Sequence, residues 1–418
     1  MDEISELTAT AGERIREIRS SDFTLRLHDA KGAPVTPAEI RVTLVNHAFK
    51  FGCNAFNLKS IEDSELQEAY EDRYTALLNF ATLPFYWGAY EPEPSTTREV
   101  RLHDMAAWCA QEQITTKGHP LAWHEVFPSW ASELPDDEVL ARLEARIREI
   151  PQQFRGEVNI WDVFNEATVS HRFDNAVGRW IAREGAGEVV SRALAWAREG
   201  NPAATLLYND FNISDDFESL VAELLERGAP VDVLGIQSHM HVGTWPLERA
   251  WEVCNRYARF GLPLHFTELT VLSGRLKAQD DKDWHARRPG WSTTPEGEAA
   301  QAEYGTALYT LLFSHPAVEA ITWWDFSDYH AWQAAPAGLI RADMSPKPLY
   351  EQLMALIQGE WRTDVRGQTS ESGALSCRCF FGEHQIEARL PSGDLLYGDF
   401  TAAREGTRVV DVSLTSRR

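Results

Sequence analysis

Eight stretches of the chain are dominated by apolar, β-branched and aromatic residues, and amphipathic segments separate them. The stretches are Phe49–Phe56, Tyr74–Phe85, Ile114–Trp123, Val158–Asn165, Thr205–Phe211, Val231–His241, Leu262–Leu269 and Val318–Asp328. Several are apolar almost throughout, the pattern of strands buried on both faces. Between them, Asp136–Phe154 carries apolar residues at helical spacing with acids at its start, where they favour a helix N-terminus. Asp215–Arg227 repeats the pattern behind Ser214, a suitable N-cap. A last helix is expected over Lys347–Gln358, opened by Pro346 and Pro348. Eight strand–helix units predict an α/β fold, a (β/α)8 TIM barrel spanning residues 46–358. Neither a GxGxxG nor a GxxxxGK[ST] pattern follows an early strand, which weighs against an open nucleotide-binding sheet.

The flanks change period. Phe23–Leu44 alternates with a period of two around Lys31-Gly32 and predicts a β-hairpin within an N-terminal segment, residues 1–45. From Trp361 the tail alternates again, with turn signals at Ser392-Gly393 and Glu405-Gly406. Residues 359–418 are therefore expected to form a small β-rich accessory domain, sharing a sheet or sandwich with the N-terminal hairpin and serving a structural role, with a sugar-binding module as the alternative.

Composition narrows the function. The 63 acidic and 40 basic residues give a net charge of −23, which argues against nucleic acid or an anionic membrane as partner. No window approaches the length of apolar chain needed to cross a membrane. The five cysteines are too few and scattered for a disulfide scaffold and are expected to be free, buried thiols. The N-terminus, Met1 to Glu6, is acidic and lacks the basic and apolar regions of a secretion signal, which points to the cytoplasm.

In a barrel of this type the active site lies at the C-terminal ends of the strands. Those ends read His119 to His124, Asn165-Glu166, Tyr208-Asn209-Asp210, Gln237 to His241, Glu268 and Trp324-Asp325. Carboxylates, amides, imidazoles and indoles thus gather on one rim. Glu166 and Glu268, from the fourth and seventh strands, would face each other across it. Glycoside hydrolysis needs such a pair, one carboxyl to protonate the leaving oxygen and one beside the anomeric carbon.

The segments GHPLAWH (118–124), WDVFNEA (161–167), GIQSHMH (235–241), FTEL (266–269) and ITWWDFSDYHAW (321–332) resemble glycoside hydrolase family 10, the endo-β-1,4-xylanase-like enzymes. The resemblance implies a retaining double displacement on a carbohydrate substrate, with no metal and no cofactor. It gives Glu166 the role of acid/base and Glu268 that of nucleophile. It further implies that Asn165 meets the sugar 2-hydroxyl and that His239 holds the nucleophile. His119, Gln237, Trp123, Tyr208, Trp324 and Trp332 take the other sugar-binding positions. Tyr86 and Trp87 stand at the glycone end.

The pattern departs from the family there. Where an acid, an amide and a lysine usually grip the non-reducing sugars, this chain has Thr82, Leu83 and Tyr86, and the aspartate usual two residues after the nucleophile is Thr270. The chemistry reads as retained and the distal glycone subsite as rebuilt. The insertion Leu272–Trp291 is expected over the site, where it can supply replacement contacts. Two other readings use the same residues. A metal-dependent barrel hydrolase would use His239, His241, His119 and Asp325. A silent carbohydrate-binding barrel would have no need of both carboxylates.

Overall fold

The computed structural model describes residues 3–416, which divide into two compact units. The first comprises residues up to Lys50, Phe313–Pro316 and residues from Glu351 onward. It opens with two short helices, Glu3–Ala9 and Ala11–Arg19, which the two-residue alternation of the segment did not foreshadow. Strands β1 (Ser20–His28) and β2 (Glu39–His47) follow.

They do not form a hairpin. A turn does occur at Lys31-Gly32, held by Asp29 Oδ1 accepting from the Lys31 and Ala33 amides. The two strands nevertheless enter different sheets. With β11 (Asp364–Gln368), β12 (Ala374–Phe380), β13 (Gly382–Arg389), β14 (Leu395–Ala402) and β15 (Val409–Ser413), the orders are β12-β1-β15 and β11-β2-β13-β14. The apolar faces explain the difference. Phe23, Leu25 and Leu27 of β1 and Ile40 and Val42 of β2 all enter one core with Cys377, Cys379, Ile386 and Ala388. Two strands that must bury their alternate residues against each other stack face to face rather than pair edge to edge. The tail and the N-terminal strands thus build one β-rich accessory unit.

The second unit is a closed barrel of eight parallel strands: β3 (Lys50–Asn54), β4 (Phe80–Pro84), β5 (Thr115–His119), β6 (Ile160–Asn165), β7 (Thr205–Asp210), β8 (Val233–Met240), β9 (Leu264–Val271) and β10 (Val318–Trp323). Parallel pairing runs in order from β3 to β9, and β10 closes against β9 and β3. The expected TIM barrel is therefore the fold. One apolar stretch was over-read. Tyr74–Leu77 ends the helix Ser64–Leu77, and the strand begins at Phe80. Tyr74 is apolar for a different reason, since it packs on Phe326 and Trp108 behind the strands.

Phe80, Ile160, Leu207, Val233 and Ala320 form a fully or nearly buried apolar layer. Two positions further along their strands come Thr82, Asp162, Asn209, Gly235 and Thr322, all at interior parity because side chains alternate. The barrel thus changes from an apolar floor to a polar mouth within one strand repeat. One glycine makes room for that mouth and another for the packing behind it. A Cβ on Gly118 would lie 2.1 Å from the Trp161 ring, and one on Gly235 would lie 2.5 Å from Asn209 Oδ1.

Candidate active site

The polar mouth opens into a cavity of about 900 Å³. Glu166 and Glu268 both line it, and both are buried. Glu166 follows β6 with a left-handed backbone (φ 59°), a conformation unusual for a residue with a Cβ and found where function demands it. Its amide donates to the Asn209 carbonyl at 2.8 Å, which fixes this turn onto β7.

A chain of amides joins the two carboxylates. Glu166 Oε1 accepts from Gln237 Nε2 at 2.8 Å and from Asn165 Nδ2 at 3.1 Å, while Oε2 accepts from Trp123 Nε1 at 3.1 Å. Asn209 Nδ2 donates to Asn165 Oδ1 and to Glu268 Oε1, each at 2.8 Å. The Thr267 hydroxyl donates to Asn209 Oδ1 at 2.6 Å and so fixes that amide's orientation. Glu268 Oε2 lies 3.0 Å from His239 Nε2, and His239 Nδ1 lies 2.9 Å from the Thr270 hydroxyl.

A second chain reaches Glu268 from below. Asp162 Oδ2 accepts from Lys117 Nζ at 2.6 Å and pairs with His119 Nδ1 at 2.7 Å, all three side chains being buried. The other nitrogen of His119 stands 3.9 Å from Glu268 Oε1.

These surroundings split the two acids. Burial, reinforced by the charge of Glu268, holds the Glu166 carboxyl well above the ordinary glutamate range, against the lowering effect of the Gln237 hydrogen bond. Burial pushes Glu268 upward as well, but His119, His239 and Lys117 together outweigh it and leave its pKa below the usual value. Two carboxyls whose environments drive them apart mark an acid and a base.

The structure brings together most of the residues expected from the sequence. His119, Trp123, Asn165, Gln237, His239, Trp324, Trp332 and Tyr86 all line the cavity with the two glutamates. Trp324 meets His119, His239 and Phe56 edge-on at 5.4, 5.7 and 5.4 Å. The insertion after β9 also reaches the cavity, and its Trp284 stacks on Trp332 with ring centres 6.2 Å apart.

Two expected residues do not reach the cavity. Tyr208 is fully buried behind β7, where its ring packs on Phe217 and its hydroxyl donates to Asp210. Strand parity explains the correction, since Leu207 and Asn209 face inward and Tyr208 must face the helices. Trp87 is also displaced, bonding Glu91 through Nε1 at 2.9 Å and packing against Phe127 and Trp130. It closes the loop after β4 rather than touching ligand space.

Sequence reasoning put Asn209 beside the two glutamates but missed Asp162, Lys117 and Thr267 as parts of the network. Counting alternate positions from the apolar floor would have found Asp162. It also left Asn54, Phe56 and Asp325 out of the sugar-binding set, although all three line the cavity. Asp325 is buried, its Oδ1 accepts from the Trp332 amide at 3.0 Å, and its Oδ2 is unpartnered. Burial raises its pKa to about 7. The four-residue metal reading loses its central ligand, because both nitrogens of His239 are engaged by Glu268 and Thr270. Among the described residues, the group with donor atoms mutually within 4.8 Å is instead His124, Glu125 and Glu166.

Known proteins resemble this chain. Endo-1,4-beta-xylanase B of Thermotoga neapolitana is 28% identical over 65% of this chain and 78% of its own length. The anti-sigma-I factor RsgI6 of Acetivibrio thermocellus is 26% identical over 91% of this chain but only 46% of its own. The crystal structure of xylanase 10B from Thermotoga petrophila, in complex with xylobiose, superposes with a TM-score of 0.63 at 26% identity, covering 75% of this chain and 95% of that one. The sequence model of glycosyl hydrolase family 10 matches residues 43–356, a span that contains every barrel strand and both cavity glutamates. A closed parallel barrel, two carboxyls tuned apart at its mouth and that match leave one conclusion: the chain belongs to glycosyl hydrolase family 10 and is a glycoside hydrolase.

Proposed function

We propose that the protein hydrolyses β-1,4-linked xylan-type glycans by retaining double displacement, with Glu166 as acid/base and Glu268 as nucleophile. The xylan class rests on the names of its relatives. The mechanism rests on one observation, the opposite pKa displacements of two buried carboxyls joined through Gln237, Asn165 and Asn209.

In the first step the ionised Glu268 attacks the anomeric carbon. Glu166 gives its proton to the departing glycosidic oxygen. His239 and Asn209 hold the two oxygens of Glu268 so that one faces the sugar. Esterification removes the negative charge of Glu268, the repulsion that helped keep Glu166 protonated disappears, and Glu166 becomes a competent base. In the second step it takes a proton from water, which attacks the anomeric carbon and releases Glu268. Trp123 and Trp324 offer indole surface beside the reacting sugar.

At the glycone end Thr82 and Leu83 lie within the barrel wall, and Tyr86 packs edge-on to His119 and Phe56. Hydrogen bonding there falls to Asn54 and Asp325, so the enzyme grips the non-reducing sugars differently from the usual pattern of the family.

The deciding experiment compares two β-xylobiosides, one with a dinitrophenyl and one with a methyl leaving group, in the Glu166→Ala protein. The kcat/KM of the methyl glycoside should fall by about 10²–10⁴-fold, and that of the dinitrophenyl glycoside far less, because a good leaving group needs no proton, while its kcat drops as the second step loses its base. Azide should restore dinitrophenyl turnover and yield a β-glycosyl azide. An α-azide, or equal losses on both substrates, would refute the assignment.

A further inference from the structure

We infer that His124, Glu125 and Glu166 form a binding site for a divalent transition-metal ion of the Zn²⁺ type, and that the bound ion switches the enzyme off. The site rests on the side chains alone. The inhibition rests on the reading above, in which Glu166 is the acid/base.

The observation is a buried imidazole with nothing to bond. His124 is 1% exposed, and among the described residues neither of its ring nitrogens has a hydrogen-bond partner. Buried polar side chains are paired as a rule, and one that is not calls for a partner from outside the chain. A nitrogen of this ring and one carboxylate oxygen each of Glu125 and Glu166 lie within 4.8 Å of one another. Donors sharing a tetrahedral zinc at about 2.0–2.1 Å stand about 3.3 Å apart, so the three need to close by about 1.5 Å at most. Glu125, with an 18% exposed side chain, has room to turn.

The backbone holds the group in place. The Asn165 amide donates to the Ala122 carbonyl at 3.0 Å, which ties the loop after β5 to the end of β6 just before Glu166. The His124 carbonyl accepts from Asn175 Nδ2 at 2.8 Å, and Asn175 Oδ1 in turn caps the helix Ala176–Glu184 by accepting from the Gly178 amide. The His124 ring packs on Phe173 with centres 4.3 Å apart. A fourth donor is at hand. His285, from the insertion after β9, is mostly exposed and puts Nε2 3.3 Å from Glu125 Oε2.

Two imidazoles and two carboxylates suit Zn²⁺, whereas Mg²⁺ and Ca²⁺ take oxygen donors. Glu166 can join without losing its partners. Its Oε1 accepts from Gln237 and Asn165, but Oε2 accepts from Trp123 alone and keeps a lone pair. Arg172 and His171 oppose a cation at this corner, while Glu268 and Asp210 add negative charge around Glu166. On binding, the ion takes the place of the Glu166 proton, which passes to water. The departing glycosidic oxygen then meets no acid, although the hydrogen bonds around Glu268 are untouched.

The test titrates ZnCl₂ into the full chain after EDTA treatment and dialysis. Calorimetry should find one strong Zn²⁺ per chain and no comparable binding of MgCl₂. His124→Phe, which keeps a ring against Phe173, and Glu125→Gln should each weaken zinc binding by about 10–100-fold or more, and His285→Ala by less. At saturating zinc, kcat/KM for the methyl β-xylobioside should fall by about 10²–10⁴-fold, the contribution of a general acid, and return with EDTA. Measured against its own zinc-free rate, Glu125→Gln should need correspondingly more zinc for the same loss. Failure of zinc to bind, or equal binding by the wild-type protein and both variants, overturns the inference. One zinc per chain, lost in both variants but without inhibition, upholds the site and refutes Glu166 as acid/base.

Discussion

The centre of the cleft and its glycone wall are both polar, both buried and both built on strand ends, yet they treat their polar atoms in opposite ways. At the centre every oxygen of Glu166 and Glu268 already has a partner within the protein. At the wall, Asp325 Oδ2 borders the cavity and is buried without one, as is Asp162 Oδ1 behind the centre. Leaving a buried acceptor unmade costs about 1–3 kcal/mol, more when it is charged. A network that must hold two carboxyls at different pKa values gains from being complete before substrate arrives. A binding wall gains from acceptors that only the ligand can satisfy. On the proposed reading, the contrast separates the part of the molecule that does chemistry from the part that chooses the sugar.

The comparison breaks most directly at Glu268. Glu268→Gln keeps the shape of the network and removes the proposed nucleophile, so kcat on an aryl β-xylobioside should drop by about 10³-fold or more. Binding of the intact oligosaccharide, measured by calorimetry, should persist. A drop of less than tenfold would move the chemistry elsewhere in the mouth.

A smaller but more informative change is Asp162→Asn. It leaves Lys117 buried without its counter-charge and deprives His119 of the acceptor that orients it, so stability should fall by about 3–5 kcal/mol in denaturant unfolding. The surviving enzyme should also show a shifted pH profile. The proposed mechanism needs Glu268 ionised and Glu166 protonated, so on that reading the acid limb belongs to Glu268 and the alkaline limb to Glu166. Losing the Asp162 charge leaves the Lys117 ammonium uncompensated near Glu268, which lowers the Glu268 pKa and moves the acid limb downward, while the alkaline limb stays nearly in place. Movement of both limbs together would mean that Asp162 acts on the whole network rather than on Glu268.

The mildest effect is expected at the wall. Asp325 has a folded pKa of about 7 against an ordinary 3.8, so the folded state favours its proton. Its contribution is fully favourable below the unfolded pKa, declines between about pH 4 and pH 7 as unfolded chains ionise, and is least favourable above that. Asp325→Asn should therefore raise the melting temperature more at pH 8 than at pH 4. It should also raise KM for oligosaccharides with an extended glycone by a few-fold, with little change for an aryl monoxyloside. A variant that loses melting temperature at pH 8 would contradict an unpartnered buried carboxyl.

Much of the barrel was legible in the order of residues. The eight apolar runs, the acids at the starts of Asp136–Gln153 and Asp215–Glu226, and the polar residues at strand ends were enough to predict its class and its rim. The errors share one cause, which is that a run of apolar letters carries no direction. Tyr74–Leu77 is apolar because it ends a helix against Phe326, whereas Phe80–Pro84 is apolar because it is a strand. Tyr208 and Asn209 are neighbours, and only parity within β7 sends one to the helices and the other to Glu268. In the β-rich unit the alternation of β1 and β2 was correctly polar and apolar, but the same alternation fits a hairpin and two stacked sheets equally well.

By itself the sequence determined which residue types were available at each strand end, and hence that two carboxyls, several amides and several indoles would share one mouth. It did so because side-chain period and turn chemistry are local. The tertiary structure alone decided that the Glu166 carboxyl is pushed above the ordinary glutamate range and Glu268 below it, since burial, the reach of His119 and His239, and the bridging amides come from five different strands. A pKa is a property of everything within a few ångströms, and only closure of the barrel brings those groups that near.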